Sequence, residues 1–287
     1  MGKIKVFASG GKGGTGKTLI AVATAYASAT MTGGNVILVG ADPHTGSAEM
    51  LVEPGFKPEK GWVSYINSLE TTLPEVMVKS RLKDNLYIIP SKRGRIFYAG
   101  SDRRTAGMKL DIAKKIWEQD PRISLVIIDT PAGKSPEHLV YSWAFDTYLV
   151  TTSSEMDLVP TKKFLEDIRA ETLEQLGRDE QPIKGIIANM VTSKNDVKRI
   201  EEFLRMPCIA SVPHSPAVEE ANRKHLPVTA YKPDDKASLA IQNIARMFLG
   251  LDSRETSREG VSSVEKLKKL KDLASFASFI RRVRRRK

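Results

Sequence analysis

Short runs of β-branched and aliphatic residues alternate with longer stretches of helical periodicity along most of this chain. Runs of this kind are typical of strands buried on both faces of a parallel sheet and joined by helices. The pattern predicts an α/β fold, a doubly wound, mostly parallel sheet of about seven strands with helices on both faces. The predicted strands are Ile4–Ala8, Val36–Val39, Leu86–Ile89, Leu125–Ile128, Tyr148–Thr151, Ile183–Ala188 and Cys208–Val212.

Residues 51–104 interrupt this alternation. They contain four prolines and no sustained period of two or 3.6 residues, so we expect loops and short helices there.

A glycine-rich stretch follows the first predicted strand and precedes an alanine-rich helical segment. The spacing from Gly11 to Gly16-Lys17-Thr18 fits the phosphate-binding loop G-x-x-x-x-G-K-[ST]. In such a loop the backbone amides converge on nucleotide phosphates at the start of a helix. We therefore expect Lys17 to neutralise the β- and γ-phosphates and Thr18 to hold a magnesium ion (Mg²⁺).

A second lysine, Lys12, lies inside this loop. The octet from Gly11 to Thr18 resembles the deviant Walker A motif of MinD/ParA ATPases, which belong to the SIMIBI class of P-loop proteins. The resemblance implies that Lys12 reaches across a homodimer to the partner's nucleotide and that ATP holds the two subunits together. The residues that it places against ATP are Gly11, Gly13, Gly14, Thr15, Gly16, Lys17, Thr18 and Leu19.

Ligands of such sheets bind beyond the carboxyl ends of the strands. Four apolar residues, 125–128, lead to Asp129, as in a Walker B strand whose carboxylate reaches Mg²⁺ through water. The following residues, Thr130 to Gly133, are similar to the switch II segment of MinD relatives. There a backbone amide senses the γ-phosphate, and we assign that role to Gly133.

The segment Gly40-Ala41-Asp42-Pro43 ends another predicted strand and resembles switch I, written Asp-x-Asp-Pro in this family. The resemblance implies that Asp42 orients or activates the attacking water, so Lys12, Lys17 and Asp42 are the predicted catalytic residues. Two positions depart from the family pattern. Gly40 replaces the first aspartate, and Leu19 replaces the hydroxyl residue that commonly follows Lys-Thr. We interpret these departures as altered magnesium and α-phosphate contacts, and we expect slow, switch-type hydrolysis.

Two further positions match residues that recognise the base in this family. Asn189 ends a predicted strand, where its amide can pair with the edge of adenine. Pro213 begins the stretch Pro213-His214-Ser215-Pro216, which resembles a second loop beside the base. A capped turn leading into a helix explains the Pro213 stretch equally well.

Composition limits the other classes of protein that carry this motif. The 287 residues are 41% hydrophobic and include a single cysteine, Cys208. One cysteine does not supply the thiolates of an iron–sulfur carrier within one subunit, and Cys208 is interpreted as a small core residue. The nine methionines are scattered, unlike those of a tail-anchored-protein targeting factor. An ATP-dependent ligase or metallochaperone of the same superfamily remains an alternative without specific support.

The chain has no signal-peptide region at its start and no apolar stretch of membrane-spanning length, so we expect a cytoplasmic protein. The resemblance spans residues 1–250, which form the predicted ATPase domain. Residues 251–263 are predicted to be a linker, and residues 264–287 a basic amphipathic helix. Residues 252–287 carry a net charge of +7 out of +11 for the whole chain.

The predicted terminal helix has its apolar face at Leu273, Phe276, Phe279, Ile280 and Val283, with arginines on the other side. A helix of this kind is suited to an anionic membrane interface, as in MinD proteins. The same charges would neutralise DNA phosphates, and ParA relatives bind DNA nonspecifically. Docking of this face on the protein itself, or on a partner helix, is the third alternative.

These observations predict a MinD/ParA-type ATPase that dimerises on ATP. In that form it would bind the inner membrane face or the nucleoid, and so position or segregate a cargo. A partner protein is expected to stimulate hydrolysis and thereby release it. A DNA partition ATPase of the ParA type is the alternative.

Overall fold

A computed structural model of the chain describes residues 2–11, 13–43, 48, 58–91, 103–133 and 136–251. The described residues form an eight-stranded sheet in the order β3-β4-β2-β5-β1-β6-β7-β8. All neighbouring strands are parallel except β3 and β4. The strands are β1 (Ile4–Ser9), β2 (Asn35–Gly40), β3 (Val78–Lys79), β4 (Leu86–Ile89), β5 (Ile123–Ala132), β6 (Asp146–Thr151), β7 (Ile183–Val191) and β8 (Cys208–Pro213).

The seven predicted strands are confirmed, and the structure adds β3. This strand has two residues and pairs antiparallel with β4 at the edge of the sheet, where Val78 lies opposite Ile88. Two residues are too few to give an alternating pattern, so the sequence does not reveal it. Strand β5 is also longer than predicted, because it continues past Asp129 to Ala132.

Helices cover both faces of the sheet, as expected for a parallel sheet with crossover connections. Segment 51–104 contains two short helices in its described part, in agreement with the prediction for that segment. The helices of the described residues are α1 (Lys17–Met31), α2 (Trp62–Asn67), α3 (Leu73–Val76), α4 (Arg103–Gln119), α5 (Pro136–Ala144), α6 (Glu155–Leu176), α7 (Lys194–Leu204), α8 (Pro216–Arg223), α9 (Val228–Tyr231) and α10 (Lys236–Leu249).

The central strand β1 divides the core between the two faces. Phe7 packs with α1 and α10, whereas Val6 packs with residues of α2, α4 and α5. The alanines of α1 are almost fully buried, and their small side chains bring this helix close to the sheet. The helix that follows the glycine-rich loop is therefore held rigidly against the core.

The described chain ends at Leu251, just after Gly250 closes α10 with φ +70°. The predicted linker and basic terminal helix lie outside the described residues, and so the division at residue 250 stays a prediction. No helix in the described part of the chain is both long and apolar enough to cross a membrane.

Candidate functional site

The glycine-rich loop joins the end of β1 to the start of α1. Gly16 is the N-cap of α1 and adopts φ +79°, and Gly14 adopts φ +107°. Both values lie in the region that glycine reaches without steric cost. Because Gly16 has no side chain, no side-chain oxygen of the N-cap competes for the amides of the first turn. These amides and the positive end of the helix dipole favour an anion in front of α1.

The side chain of Asn189, on β7, leaves no room for a side chain at position 16. A β-carbon at this position would collide with Asn189 Nδ2. That nitrogen donates a buried hydrogen bond of 2.7 Å to the carbonyl oxygen of Thr15. Asn189 therefore fixes the loop to the end of β7, across 174 residues of sequence.

We expect Gly16→Ala to destabilise the fold and to weaken nucleotide binding. A left-handed conformation costs an alanine about 1–2 kcal/mol, and the contact with Asn189 adds a collision. Gly177→Ala is the matched control, because Gly177 has φ +67° but no atom within 4 Å of an added β-carbon. Urea unfolding of both variants separates the two causes: equal losses of unfolding free energy would contradict the steric contact.

Three side chains meet where the loop faces the C-terminal part of β5. Lys17 Nζ lies 2.6 Å from Asp129 Oδ1, and Thr18 Oγ1 donates to Asp129 Oδ2 at 2.8 Å. Asp129 is only 1% exposed and Lys17 6%. A carboxylate removed from water to this degree needs a cation and hydrogen-bond donors, and both come from the loop.

These three residues have the chemistry needed to bind a nucleoside triphosphate with magnesium. Lys17 supplies a cation next to the amides of α1, and Thr18 and Asp129 supply the oxygen ligands that Mg²⁺ prefers. The loop glycines Gly13 and Gly14 are exposed, so a phosphate group can approach their backbone closely. The sequence predicted Lys17, Thr18 and Asp129 as one site, and the structure brings them together.

Asp42 follows strand β2, which is hydrogen-bonded to β5. Gly40 is in register with Asp129, and the Ala41 amide donates to the Asp129 carbonyl at 2.8 Å. Asp42 is half-buried and lies two residues beyond this pairing. The predicted switch I carboxylate is thus beside the Walker B strand, at the edge of the sheet that carries the loop.

Gly133 lies close to the loop, but its amide already has an acceptor. The residue has φ +79°, and its N–H donates to the Ser9 carbonyl at 3.0 Å. An added β-carbon would lie 3.7 Å from the Gly11 carbonyl oxygen. The predicted contact of this amide with a γ-phosphate therefore requires that the bond to Ser9 be released.

A cleft beside the start of α1 brings together the residues predicted to contact the base. Asn189 and Pro213 line it, and Leu19, Met190 and Val218 form further walls. The Pro213 stretch also contains the capped turn that was the alternative interpretation: the Ser215 hydroxyl caps α8 by accepting from the Ala217 amide at 3.2 Å. The two interpretations are thus compatible, because Pro213 lines the cleft while Ser215 caps the helix.

Helix α6 packs against the start of the loop, which sequence reasoning missed. A β-carbon on Gly10 would lie 2.6 Å from Thr161 Cα and 2.8 Å from Phe164 Cβ. Asp157, in the first turn of α6, approaches Gly11 and accepts a 2.5 Å hydrogen bond from Thr152. The contacts of α6 with Gly10 and Gly11 join residues about 150 positions apart, and no local pattern in α6 indicates them.

A buried histidine supports the segment after Asp129. His138 is 2% exposed, and its Nε2 lies 3.1 Å from Thr130 Oγ1 and 3.0 Å from the Pro131 carbonyl oxygen. Its ring meets Phe164 edge-on at 5.3 Å. His138 is therefore a buried residue that packs beneath the segment after Asp129.

Cys208 behaves as the sequence interpretation requires. It is half-buried at the start of β8, and burial raises the pKa of its thiol to about 12. Its side chain packs beside the apolar cluster of β6, β7, α6 and α7, which agrees with its interpretation as a packing residue. Lys12, in contrast, lies outside the described residues, and its role stays a prediction.

The chain is similar to known nucleotide-binding proteins. The family model of the CobQ/CobB/MinD/ParA nucleotide-binding domain matches residues 6–228. An uncharacterized ATP-binding protein of Methanocaldococcus jannaschii is 30% identical over 256 residues, covering 86% of this chain and 88% of the relative. Septum site-determining protein MinD of Escherichia coli is 25% identical over 238 residues, covering 79% and 84% of the two chains.

The fold also matches a solved structure. Septum site-determining protein MinD of Pyrococcus horikoshii, complexed with Mg-ADP, superposes with a TM-score of 0.65 at 22% identity. The match covers 91% of this chain and 100% of the other. At this identity the likeness concerns the arrangement of the sheet and its helices.

Proposed function

The chain belongs to the CobQ/CobB/MinD/ParA nucleotide-binding domain family, and we propose that it is an ATPase that dimerises on ATP and binds a membrane or nucleoid surface in that form. Its hydrolysis is slow and is stimulated by a partner protein, which releases it from the surface. Its role is to position or segregate a cargo, as the name of the septum site-determining relative suggests for that protein.

One observation carries the ATPase part of the proposal. Lys17 and Thr18 at the start of α1 both contact the buried carboxylate of Asp129. A phosphate-binding lysine, a hydroxyl and a carboxylate at one sheet edge are the protein groups that phosphoryl transfer from a magnesium nucleotide requires.

Each residue has a separate task in this proposal. Lys17 and the amides of residues 13–18 bind the phosphates, Thr18 ligates Mg²⁺, and Asp129 holds a water of the magnesium shell. The magnesium ion, when bound, neutralises negative charge that develops on the phosphate oxygens. Asp42, which follows the neighbouring strand β2, orients the attacking water. The Gly133 amide contacts the γ-phosphate once its hydrogen bond to the Ser9 carbonyl is released.

The base would occupy the cleft between Asn189 and Pro213, beside the start of α1. Asn189 has two tasks there, because its amide nitrogen also holds the loop through Thr15. Gly40 places no side chain beside Asp129, and Leu19 brings an apolar side chain to the base cleft. We attribute altered magnesium and α-phosphate contacts to these two residues, and slow turnover to the switch-type mechanism.

The surface is bound through residues 264–287. Burying Phe276, Phe279 and Ile280 in a lipid interface gains about 1.5–3 kcal/mol for each side chain, which favours an anionic membrane. Nonspecific DNA binding, as in ParA relatives, is the second candidate because the same segment is rich in arginine. In either case the protein is peripherally associated with its surface.

We expect Asp42→Ala to lower the rate of ATP hydrolysis about a hundredfold, since general-base or water-positioning groups contribute about 10²–10⁴-fold. ATP affinity should change less than about threefold, because phosphate binding rests on Lys17 and the loop amides. Phosphate release and ATP binding measure the two effects. Full activity in the variant, with wild-type binding, would exclude Asp42 from this role.

A further inference from the structure

Met190 has a backbone conformation that its position in a strand does not explain. Three non-glycine residues in the described part of the chain have positive φ: Met190, Arg205 and His225. Arg205 is the C-cap of α7, and His225 closely follows α8. A left-handed residue is ordinary at the end of a helix, whereas Met190, with φ +55°, lies within β7.

The conformation coincides with a break in strand pairing. Ala188 pairs with Ser211 of β8, and the next pair joins Val191 to Pro213. Three steps along β7 thus correspond to two steps along β8, and the extra residue falls at positions 189–190. A bulge of this kind commonly redirects a side chain beside a functional site.

The bulge turns two consecutive side chains toward one cleft. In a regular strand, residues 189 and 190 would point to opposite faces of the sheet. Here Asn189 and Met190 both line the base cleft, and both approach Gly16. A β-carbon on Gly16 would collide with Asn189 Nδ2 and would lie 3.6 Å from Met190 Cε. The positive-φ conformation of Met190 therefore places its side chain at the wall of the cleft.

We propose that Met190 is a specificity-determining residue that packs its thioether against the purine ring of the bound nucleotide. The inference rests on the proposed nucleotide function of the same cleft and adds a residue that sequence reasoning did not select. Methionine sulfur is polarizable and makes favourable contacts with aromatic rings. At 41% exposed, the side chain has apolar surface that a base can cover.

Positive φ is costly for most residues that carry a β-carbon, least so for asparagine and aspartate, whereas glycine adopts it without steric strain. Glycine at position 190 would therefore keep this backbone without strain and remove only the side chain. If the conformation served the fold alone, this change would be harmless or stabilising. The opposing effects of Met190→Gly on stability and on base binding distinguish a ligand-binding side chain from a structural one.

The test compares binding of ATP and of inorganic tripolyphosphate, each with Mg²⁺, by calorimetry on the full chain. Tripolyphosphate fills the phosphate loop but has no base. Met190→Gly should raise the Kd for ATP about tenfold, the weakening expected when the contact of sulfur and side chain with the ring is lost. The Kd for tripolyphosphate should stay within about twofold, and the melting temperature should not fall.

Arg205→Gly is the matched control, because it replaces another positive-φ residue with glycine on a helix end that does not line the cleft. It should leave both Kd values unchanged. Met190→Leu, which keeps an apolar side chain of similar size, should retain most of the affinity for ATP. Met190→Asn serves as a second truncation, because asparagine tolerates this backbone conformation.

Wild-type ATP affinity in Met190→Gly, or equal weakening for ATP and tripolyphosphate, would overturn the inference. The first result would show that the Met190 side chain does not contact the base. The second would show that the substitution acts on the phosphate loop. A wild-type protein that binds neither ligand would instead refute the proposed function, and the inference with it. Tripolyphosphate binding thus separates the two failures.

Discussion

Replacing Lys17 with methionine is expected to lower ATP hydrolysis about a hundredfold or more. Methionine keeps the length of the side chain and removes its charge. Loss of one preorganised donor to a developing phosphate charge typically costs about 10²–10³ in kcat. Lys17 also contributes to nucleotide binding, so the Kd for ATP should rise as well. Phosphate release at saturating ATP and equilibrium binding measure the two effects.

The same substitution should destabilise the protein in the absence of nucleotide. Lys17 is the cation beside Asp129, which is 1% exposed, and removing one partner of a buried ion pair costs about 3–5 kcal/mol. Adding Asp129→Asn removes the unpaired charge and should recover most of this loss. It should not restore hydrolysis. A double-mutant cycle of urea unfolding therefore separates the structural and catalytic parts of the pair.

Lys60→Met is the control for this experiment. Lys60 pairs with Glu75 at 2.7 Å, but both side chains are more than 40% exposed, and exposed pairs contribute little. The control should leave stability and hydrolysis nearly unchanged. Hydrolysis by Lys17→Met at the wild-type rate would refute the assignment of the loop as the phosphate site.

Replacing Lys12 with alanine is expected to abolish ATP-dependent dimerisation. In the proposed dimer this lysine neutralises phosphate charge on the partner's nucleotide, and a desolvated charge pair across an interface is worth several kcal/mol when one member is lost. Binding of ATP by the monomer should stay within about threefold of wild type, since Lys17 and the loop amides remain. Sedimentation velocity with ATP and with ADP measures the oligomeric state.

Lys198→Ala is the matched control for charge, since Lys198 is 74% exposed on α7 and pairs only loosely with Glu202 at 3.7 Å. It should dimerise like the wild type. A dimer that forms on ATP without Lys12 would contradict the signature-lysine assignment. Loss of monomer binding in Lys12→Ala would show that this lysine serves the nucleotide of its own subunit.

The parts of the site that lie in continuous sequence could be predicted. The spacing of glycine and lysine from Gly11 to Thr18 is specific to phosphate-binding loops. The apolar run before Asp129 predicts a buried strand that carries a carboxylate near its C-terminal end. Because all parallel strands end at one edge of the sheet, the meeting of Lys17 and Asp129 followed from the fold class alone.

Contacts between distant segments could not be predicted in the same way. Nothing in the local sequence indicates that Asn189 holds the carbonyl of Thr15, or that Gly10 packs against α6. The amide of Gly133 was assigned to a phosphate, whereas in the structure it donates to Ser9. Backbone acceptors leave no signature in the sequence, because every residue supplies one.

Irregular backbone was the other feature that the pattern did not reveal. The bulge at Met190 depends on how β7 and β8 pair, and the chain carries methionine there where glycine would have signalled positive φ. Strand β3 consists of two residues at an edge and has no alternation to detect. In both places the tertiary pairing, and not local propensity, determines the conformation.

Cosedimentation of the full-length protein with anionic liposomes and with nonspecific duplex DNA, each with ATP or ADP, tests the central claim most directly. A chain ending at Gly250, where α10 closes, is the control for residues 251–287. The account predicts that more protein pellets with ATP than with ADP, and that pelleting depends on those residues. Pelleting with liposomes alone would identify a MinD-like protein. ATP-dependent binding to DNA alone would assign it to the ParA type. Equal pelleting with ATP and ADP, or binding to neither surface, would contradict a nucleotide-controlled surface switch.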